Sequence, residues 1–176
     1  MKTFLKTFAV LFTILLVTGS GLWGCNYVRL QAPVQTVLEA DSRNAGIEVR
    51  AHYALYIPGD TLVFDLRRIG PDLAPVDVFR VFLQYAQAMK AESFKRVELA
   101  YQGRTKFILG GEDFRQMGVE YGDQNPMYTM RTFPEKLRTA EGLPAFETIE
   151  GGALGVLGAQ MEQFGEFHRK WYIDAL

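Results

Sequence analysis

Apolar and polar residues alternate along two neighbouring segments near residue 50, which is the pattern of half-buried β-strands. The first segment is Ile47–Ile57 and the second is Leu62–Leu66, and the turn signal Pro58-Gly59-Asp60 separates them. Together they predict an antiparallel hairpin. A helix over the first segment is the weaker alternative.

A helical period follows this hairpin. Apolar side chains recur at helical spacing over Val78–Met89, and Pro75 suits the first turn of a helix. We therefore predict a helix from Pro75 to about Ala91. If the strand at Leu62 and the next strand, at Val97, are neighbours, this helix forms a right-handed crossover between them.

The segment around Gly103 predicts a second hairpin, and its residue pattern favours one register. A three-residue loop, Tyr101-Gln102-Gly103, would set Val97 opposite Phe107 and Glu98 opposite Lys106. That register keeps one face apolar and pairs opposite charges, whereas a two-residue loop would mix the faces. We predict the three-residue loop, with a bulge and with its glycine at positive φ.

The second half of the chain contains helix stop and start signals, and the order of its elements defines the fold class. In chain order we predict a short helix ending at Gly122, another between Asn125-Pro126 and Pro134, an extended piece over Leu143–Ile149, and a long helix over about Ala153–Tyr172. The whole order predicts an α+β fold, with a mixed, mainly antiparallel sheet of about four to five strands and helices packed on one face.

Composition narrows the possible functions. The chain has 176 residues, of which 48% are apolar and 22% charged, so it can form one globular domain and a short extra segment. Lys+Arg is 19 and Asp+Glu is 20, and the resulting charge of −1 gives no reason to expect nucleic acid as a partner. The single cysteine excludes a disulfide framework and a cysteine-based zinc cluster.

The N-terminal segment has the pattern of an export signal. Lys2 and Lys6 precede an apolar stretch from Phe8 to Leu16 that only Thr13 interrupts. A membrane-spanning helix needs about 20 apolar residues, and this stretch is shorter than that. Leu22-Trp23-Gly24-Cys25 follows, and it contains the only cysteine of the chain.

This ending resembles the lipobox of bacterial lipoproteins, although Trp23 occupies a position where a small residue is usual. The resemblance implies cleavage after Gly24, a diacylglycerol thioether on Cys25 and acylation of the new amino terminus. Asn26, rather than Asp, then favours the outer membrane, facing the periplasm. An uncleaved anchor and ordinary signal-peptidase cleavage are the alternatives. The remaining chain resembles uncharacterised small lipoproteins of Gram-negative bacteria and no characterised family.

This interpretation divides the chain into a signal peptide (1–24), a lipidated N-terminus and tether (25–45) and a single α+β domain (46–176). The tether is inferred from Pro33 and the polar cluster Asp41-Ser42-Arg43-Asn44, with at most one helical turn around Val37-Leu38. The expected partners are the lipid bilayer, through acylated Cys25, and an envelope protein.

The chain contains no familiar catalytic signature. The serines after the signal peptide, Ser42 and Ser93, are not in a G-x-S-x-G motif. His52 and His168 lack the i, i+4 partner of a zinc-binding helix. His168 lies on the apolar stripe of the last helix, at Leu154, Leu157, Met161, Phe164, His168 and Trp171, which favours a core position. We predict neither a metal site nor a cofactor.

Glycines 151, 152, 155 and 158 lack the Lys-Ser/Thr of a phosphate-binding P-loop. Small residues at 152, 155 and 159 share one helical face, so we predict that they permit close packing against the sheet. A backbone-lined ligand or partner site is the alternative.

The segment Tyr121–Glu135 combines aromatic and hydrogen-bonding side chains around two turns, and it is the first place to expect a binding surface. The alternative is that these groups only cap helix ends. Two functions are consistent with the sequence. One is a non-catalytic binding or assembly-support domain, and the other is an envelope hydrolase that uses carboxylates and His168 as a base. The candidate binding residues are Tyr121, Asn125, Tyr128, Arg131 and His168; the candidate carboxylates are Asp65, Glu98, Glu120, Asp123 and Glu147.

Overall fold

A mixed five-stranded sheet with strand order β1-β2-β3-β4-β5 organises the fold, as a computed structural model of residues 2–150 and 153–175 describes it. The chain has the predicted α+β architecture. The strands are β1 Glu48–Tyr53, β2 Thr61–Arg68, β3 Arg96–Tyr101, β4 Arg104–Gly110 and β5 Leu137–Thr139. The helices are α1 Lys2–Asn26, a π-helical turn Tyr27–Gln31, α2 Ala32–Ala40, α3 Pro75–Ala88, α4 Gly111–Glu120, α5 Pro126–Thr132 and α6 Ala153–Trp171.

The first two strands pair as predicted, and the condition set for the third is met. β1 and β2 are antiparallel, with His52 opposite Val63. β2 and β3 are parallel neighbours, with Leu62 opposite Val97, and α3 connects them. The first strand is shorter than predicted because the chain turns at Ala54–Tyr56, where Leu55 has a positive φ of 54°.

The predicted three-residue loop between β3 and β4 is wrong. The turn has two residues, Gln102 and Gly103, with φ of 49° and 83°, so the positive φ of Gly103 is confirmed. Leu99 lies opposite Phe107 and Ala100 lies opposite Thr105, which leaves one extra residue in β4. This β-bulge restores the alternation that a two-residue loop would otherwise break, so one face stays apolar.

The core lies on the face of the sheet that carries the side chains of Leu62, Phe64 and Leu66, all fully buried. The ring of Phe64 lies 5.3 Å from that of Phe82 in α3 and 6.1 Å from that of Trp171 in α6. The indole of Trp171 also donates to the backbone carbonyl of Ala100 at 3.1 Å. Burial of each such side chain contributes roughly 1.5–3 kcal/mol, so these contacts fix the helices to one face.

Two glycines in α4 allow close packing of backbones. A Cβ atom on Gly111 would lie 1.8 Å from the carbonyl oxygen of Phe94, and one on Gly118 would lie 2.1 Å from that of Ala86. Gly122, past the end of this helix, has the predicted stop geometry with a φ of 97°.

The close-packing prediction for the glycines of α6 is wrong at residue 155. A Cβ atom on Gly155 or Gly158 would meet nothing within 4 Å. Leu157 is also exposed, because the buried stripe of α6 begins only near Gln160. Gly151, Gly152 and the side chain of Leu154 lie outside the described part of the structure.

The structure corrects the predicted tether. Tyr27–Ala40 is helical throughout, and the side chains of Leu30 and Val34 are fully buried in the core. The hydroxyl of Tyr85 in α3 donates to the carbonyl of Leu30 at 3.1 Å. The folded domain therefore begins about twenty residues before the predicted boundary at residue 46.

Candidate functional site

The junction between the apolar N-terminal helix and the domain lies along strand β1. β1 is at the edge of the sheet, so its outward backbone groups need other partners. The amide of Tyr53 donates to Oδ1 of Asn26 at 2.8 Å. The amide of Ala51 donates to Oε1 of Gln31 at 2.8 Å, and Nε2 of Gln31 donates to the carbonyl of Val49 at 3.2 Å. Two side-chain amides thus cover the sheet edge.

The π-helical turn at Tyr27–Gln31 explains how both amides reach β1. Asn26 and Gln31 are five residues apart. In a regular α-helix of 3.6 residues per turn they would point about 140° apart. In a π-helix, hydrogen bonds run from i to i+5, so residues five apart lie on the same side. The irregular turn therefore aligns the two amides with the strand.

Asn26 also fixes the loop that follows β1. Its Nδ2 donates to the carbonyl of Tyr56 and to that of Leu22, both at 2.8 Å. Asn26 is buried, and both atoms of its amide are occupied. The imidazole of His52 stacks on the ring of Tyr56, with the ring centroids 4.1 Å apart and an interplanar angle of 10°. The loop is thereby held close to Asn26.

Cys25 directly precedes this buried asparagine. Its thiol is free of any disulfide, and the residue is half-buried against the edge of the core. A group attached to Cys25 would therefore be one residue away from the sheet edge, with no flexible spacer between them. Among the described residues, no group of three or more His, Cys, Asp or Glu side chains is placed to hold a metal ion.

Exposed apolar side chains surround the junction. Trp23 stacks on Tyr27 at 5.5 Å, and these two rings line a hollow of about 350 Å³ together with Asn26 and Tyr56. Leu55 is 86% exposed and Ile57 is 57% exposed. We call the following exposed residues the apolar rim: Tyr27, Val28, Leu55, Tyr56 and Ile57.

The candidate binding residues around α5 lie at two places. Tyr121 lines a hollow of about 250 Å³. Asn125 caps α5, because its Oδ1 accepts the amide of Met127 at 2.9 Å. The guanidinium of Arg131 lies 5.4 Å from the centre of the Tyr128 ring. Asn125 and Tyr128 thus have local partners at this helix, whereas Nε of Arg131 is buried without a hydrogen-bond partner in the described structure.

His168 lies apart from these residues, inside the core. It is fully buried, and neither ring nitrogen has a hydrogen-bond partner in the described structure. Burial lowers the pKa of His168 to about 3, so the ring is neutral at pH 7. A substrate in solvent has no access to this imidazole, and the structure brings no candidate carboxylate into hydrogen-bonding contact with it. The rings packed around it belong to Phe79, Phe164, Phe167, Trp171 and Tyr172.

The candidate carboxylates Asp65 and Glu98 lie on the face of the sheet opposite the helices. Asp65 is buried; it pairs with Arg67 at 2.8 Å and accepts the amide of Gly103 at 2.9 Å. Glu98 pairs with Arg96 at 3.1 Å and accepts a hydrogen bond from a threonine hydroxyl at 2.8 Å. Both carboxylates therefore have structural partners, and their hydrogen bonds stabilise the β3–β4 hairpin.

The other candidate carboxylates are dispersed. Glu120 lines the hollow beside Tyr121, where it accepts a hydrogen bond from Gln116, and Glu147 lines a separate open hollow. Asp123 is exposed in the turn between α4 and α5. The described structure therefore shows no acid–base pair formed by these residues.

Comparison with known proteins gives no family: no family model, no curated protein and no solved structure matches the chain. Among the described residues, the helical segment Leu11–Ala40 is long and apolar enough to cross a membrane. Length and composition alone support that statement, and a signal sequence has the same properties.

Proposed function

We propose that this chain is a bacterial envelope lipoprotein, held on the periplasmic face of the outer membrane by acyl chains on Cys25. Its domain is a non-catalytic binding or assembly-support domain. The observation that supports the proposal is the position of Cys25 in the last turn of the apolar N-terminal helix, directly before the asparagine that binds the edge strand β1.

The geometry of the junction is compatible with cleavage after Gly24. Asn26 would lose its hydrogen bond to the carbonyl of Leu22 and would keep those to Tyr53 and Tyr56. Two or three acyl chains hold a protein stably on a bilayer, at about 0.8 kcal/mol for each buried CH₂ group. The domain would then sit directly on the membrane surface.

The state of the polar groups favours binding over catalysis. His168 is neutral and enclosed by aromatic rings. Asp65 and Glu98 are each occupied by an arginine and a second donor. Asp65, Glu98 and His52 do line one open hollow of about 460 Å³ on the sheet face opposite the helices. Because both carboxylates there are already paired with arginines, we favour a surface that holds a partner near the membrane over the hydrolase alternative.

Incorporation of labelled palmitate tests the anchor. We expect label in the wild-type chain expressed in a Gram-negative bacterium, with the protein in the outer-membrane fraction. Cys25→Ser should take up no label, and the matched control Ser93→Ala should behave as wild type. Wild-type protein without label would contradict the proposal.

Turnover tests the non-catalytic part of the proposal. The purified chain should leave ester, phosphoester, glycoside and peptide substrates unchanged. Hydrolysis that disappears in Glu120→Gln or Asp123→Asn would contradict a binding role and would favour the enzyme.

A further inference from the structure

The loop after β1 exposes apolar side chains in a way that folding of this domain does not require. Leu55 is 86% exposed, and both Leu55 and Tyr56 have positive φ angles, of 54° and 59°. Such angles are uncommon for residues other than glycine, and most unusual for bulky ones. The loop therefore adopts an unfavourable backbone conformation while its apolar side chains remain in water.

The domain holds this loop in a defined place. Asn26 donates to the carbonyl of Tyr56, the amide of Ile57 donates to the carbonyl of Ala54 at 3.2 Å, and His52 stacks on Tyr56. The loop is thus attached to the residue that follows Cys25. An anchor at Cys25 and the apolar rim consequently approach the same surface.

The rim has the chemistry of the bilayer interface. Tyrosine is enriched where apolar chains meet lipid headgroups, and leucine and isoleucine insert below that level. Two arginines lie near the rim. Arg50 lines the same hollow as Tyr56, whereas Arg29, next to Val28, is half-exposed and pairs with Glu92 at 3.5 Å. Arginines beside an apolar surface favour anionic headgroups.

From this continuity we infer that the apolar rim is a second membrane contact, and that Leu55 and Ile57 insert into the lipid leaflet that holds the acyl chains of Cys25. This inference rests on the lipid attachment proposed above. It gives the domain one fixed orientation, with β1 next to the bilayer and the far sheet edge at β5 away from it.

The depth of residue 55 in the membrane tests the inference. Lipidation leaves the wild-type chain without a free thiol, so Leu55→Cys adds the only site for a thiol-reactive fluorophore. The matched control is Leu143→Cys, because Leu143 is 66% exposed and its carbonyl binds the amide of Thr139 in β5, at the opposite edge of the sheet. The labelled, lipidated chains are reconstituted into vesicles of phosphatidylethanolamine and phosphatidylglycerol.

We expect the fluorophore at residue 55 to be quenched by lipids with a spin label near the headgroup. Its quenching by aqueous iodide should be several-fold weaker than at residue 143. A fluorophore at Ile57→Cys should behave like that at residue 55, which guards against a local effect of the first substitution. Equal iodide quenching at residues 55 and 143 would overturn the inference.

Two further comparisons distinguish contact with lipid from contact with a protein, and failure of this inference from failure of the proposed lipid anchor. Shielding of residue 55 in native membranes but not in pure lipid vesicles would mean that another protein covers the apolar rim. Shielding that decreases when the protein is diluted in lipid would mean that a second copy of this chain covers it. Either result would overturn the inference. If the wild-type chain itself takes up the fluorophore, Cys25 is free and the proposed lipidation fails. In that case the Cys25→Ser chain would be held on the membrane by its apolar N-terminal helix. Comparing the iodide quenching at residues 55 and 143 in that variant then still decides whether the apolar rim contacts the membrane.

Discussion

Replacement of Asn26 by alanine tests whether the hydrogen bonds of this side chain to the edge strand β1 and the following loop stabilise the domain. The substitution removes the acceptor of the Tyr53 amide and the donor to the Tyr56 carbonyl. Tyr53 is buried, so its amide cannot turn to water instead. An unpaired buried donor costs about 1–3 kcal/mol, and the lost bond to a more exposed carbonyl adds about 1 kcal/mol.

The expected destabilisation by Asn26→Ala is therefore roughly 3 kcal/mol. For a domain of this size, each kcal/mol lowers Tm by about 2–4 °C, so Tm should fall by roughly 6–12 °C. Asn26→Asp should also be destabilised, because a second carboxylate oxygen would face the Tyr56 carbonyl in place of the donating NH₂ group.

Thermal unfolding of the full chain in detergent, followed by near-ultraviolet circular dichroism, measures this effect. The matched control is Gln35→Ala, which removes an amide of the same helical segment whose bond to the Tyr27 hydroxyl is exposed. This control should change the free energy of unfolding by less than about 0.5 kcal/mol. If Asn26→Ala and Gln35→Ala unfold at the same temperature, the role assigned to Asn26 is refuted.

Three other predictions concern the core and the glycines. The pKa of His168 is lowered to about 3, against about 6.5 in the unfolded chain, so the unfolded state binds the proton first and stability falls as pH drops from about 6.5 towards 3. Over that range the His168→Leu variant should lose less stability than wild type, by up to about 1.4 kcal/mol per pH unit. Thermal unfolding at pH 7 and pH 5 measures this difference, and equal losses in the two proteins would contradict the burial of His168. Gly111→Ala should destabilise the domain by about 3 kcal/mol or more, the cost of severe overpacking, because the new Cβ would lie 1.8 Å from the Phe94 carbonyl oxygen. Urea unfolding measures this loss of stability. A variant as stable as wild type would refute the close approach of the two backbones. Gly155→Ala, in open space on α6, should instead stabilise by up to about 1 kcal/mol in the same assay, through helix propensity.

The elements that sequence predicted correctly are those whose signal is local. The alternation over β1 and β2 and the Pro75 start of α3 depend on neighbouring residues, and the structure confirms them. The Asn125-Pro126 start of α5 is confirmed for the same reason, with Asn125 as its cap. The short strand β5 was missed, since three residues give too little alternation to detect.

Two errors came from features that depend on distant contacts. The β4 bulge is set by the need to keep Phe107 facing the core, and a loop-length argument alone cannot place it. Pro33 predicts a break in the chain and hence a tether, yet Tyr27–Ala40 is helical and Pro33 lies in the first turn of α2. The spacing of Leu30 and Val34, four residues apart, was the signal that could have revealed it.

The candidate site was predictable only in part. The sequence pattern singles out Cys25 and the apolar segment that precedes it. The role of Asn26 and Gln31 could not, because their partners are backbone groups of β1, about twenty residues away, and only a π-helical turn aligns them. The apolar stripe of α6 predicts a core position for His168, and its full burial confirms that position and removes it from the candidate binding surface.

Lipidation at Cys25 is best tested by the intact mass of the chain extracted from the membrane fraction, measured beside the Cys25→Ser variant. We expect a wild-type chain of residues 25–176 that carries diacylglycerol and a further acyl chain on Cys25, and a Cys25→Ser chain that carries neither. An uncleaved wild-type chain, or a mature chain without lipid, would contradict it.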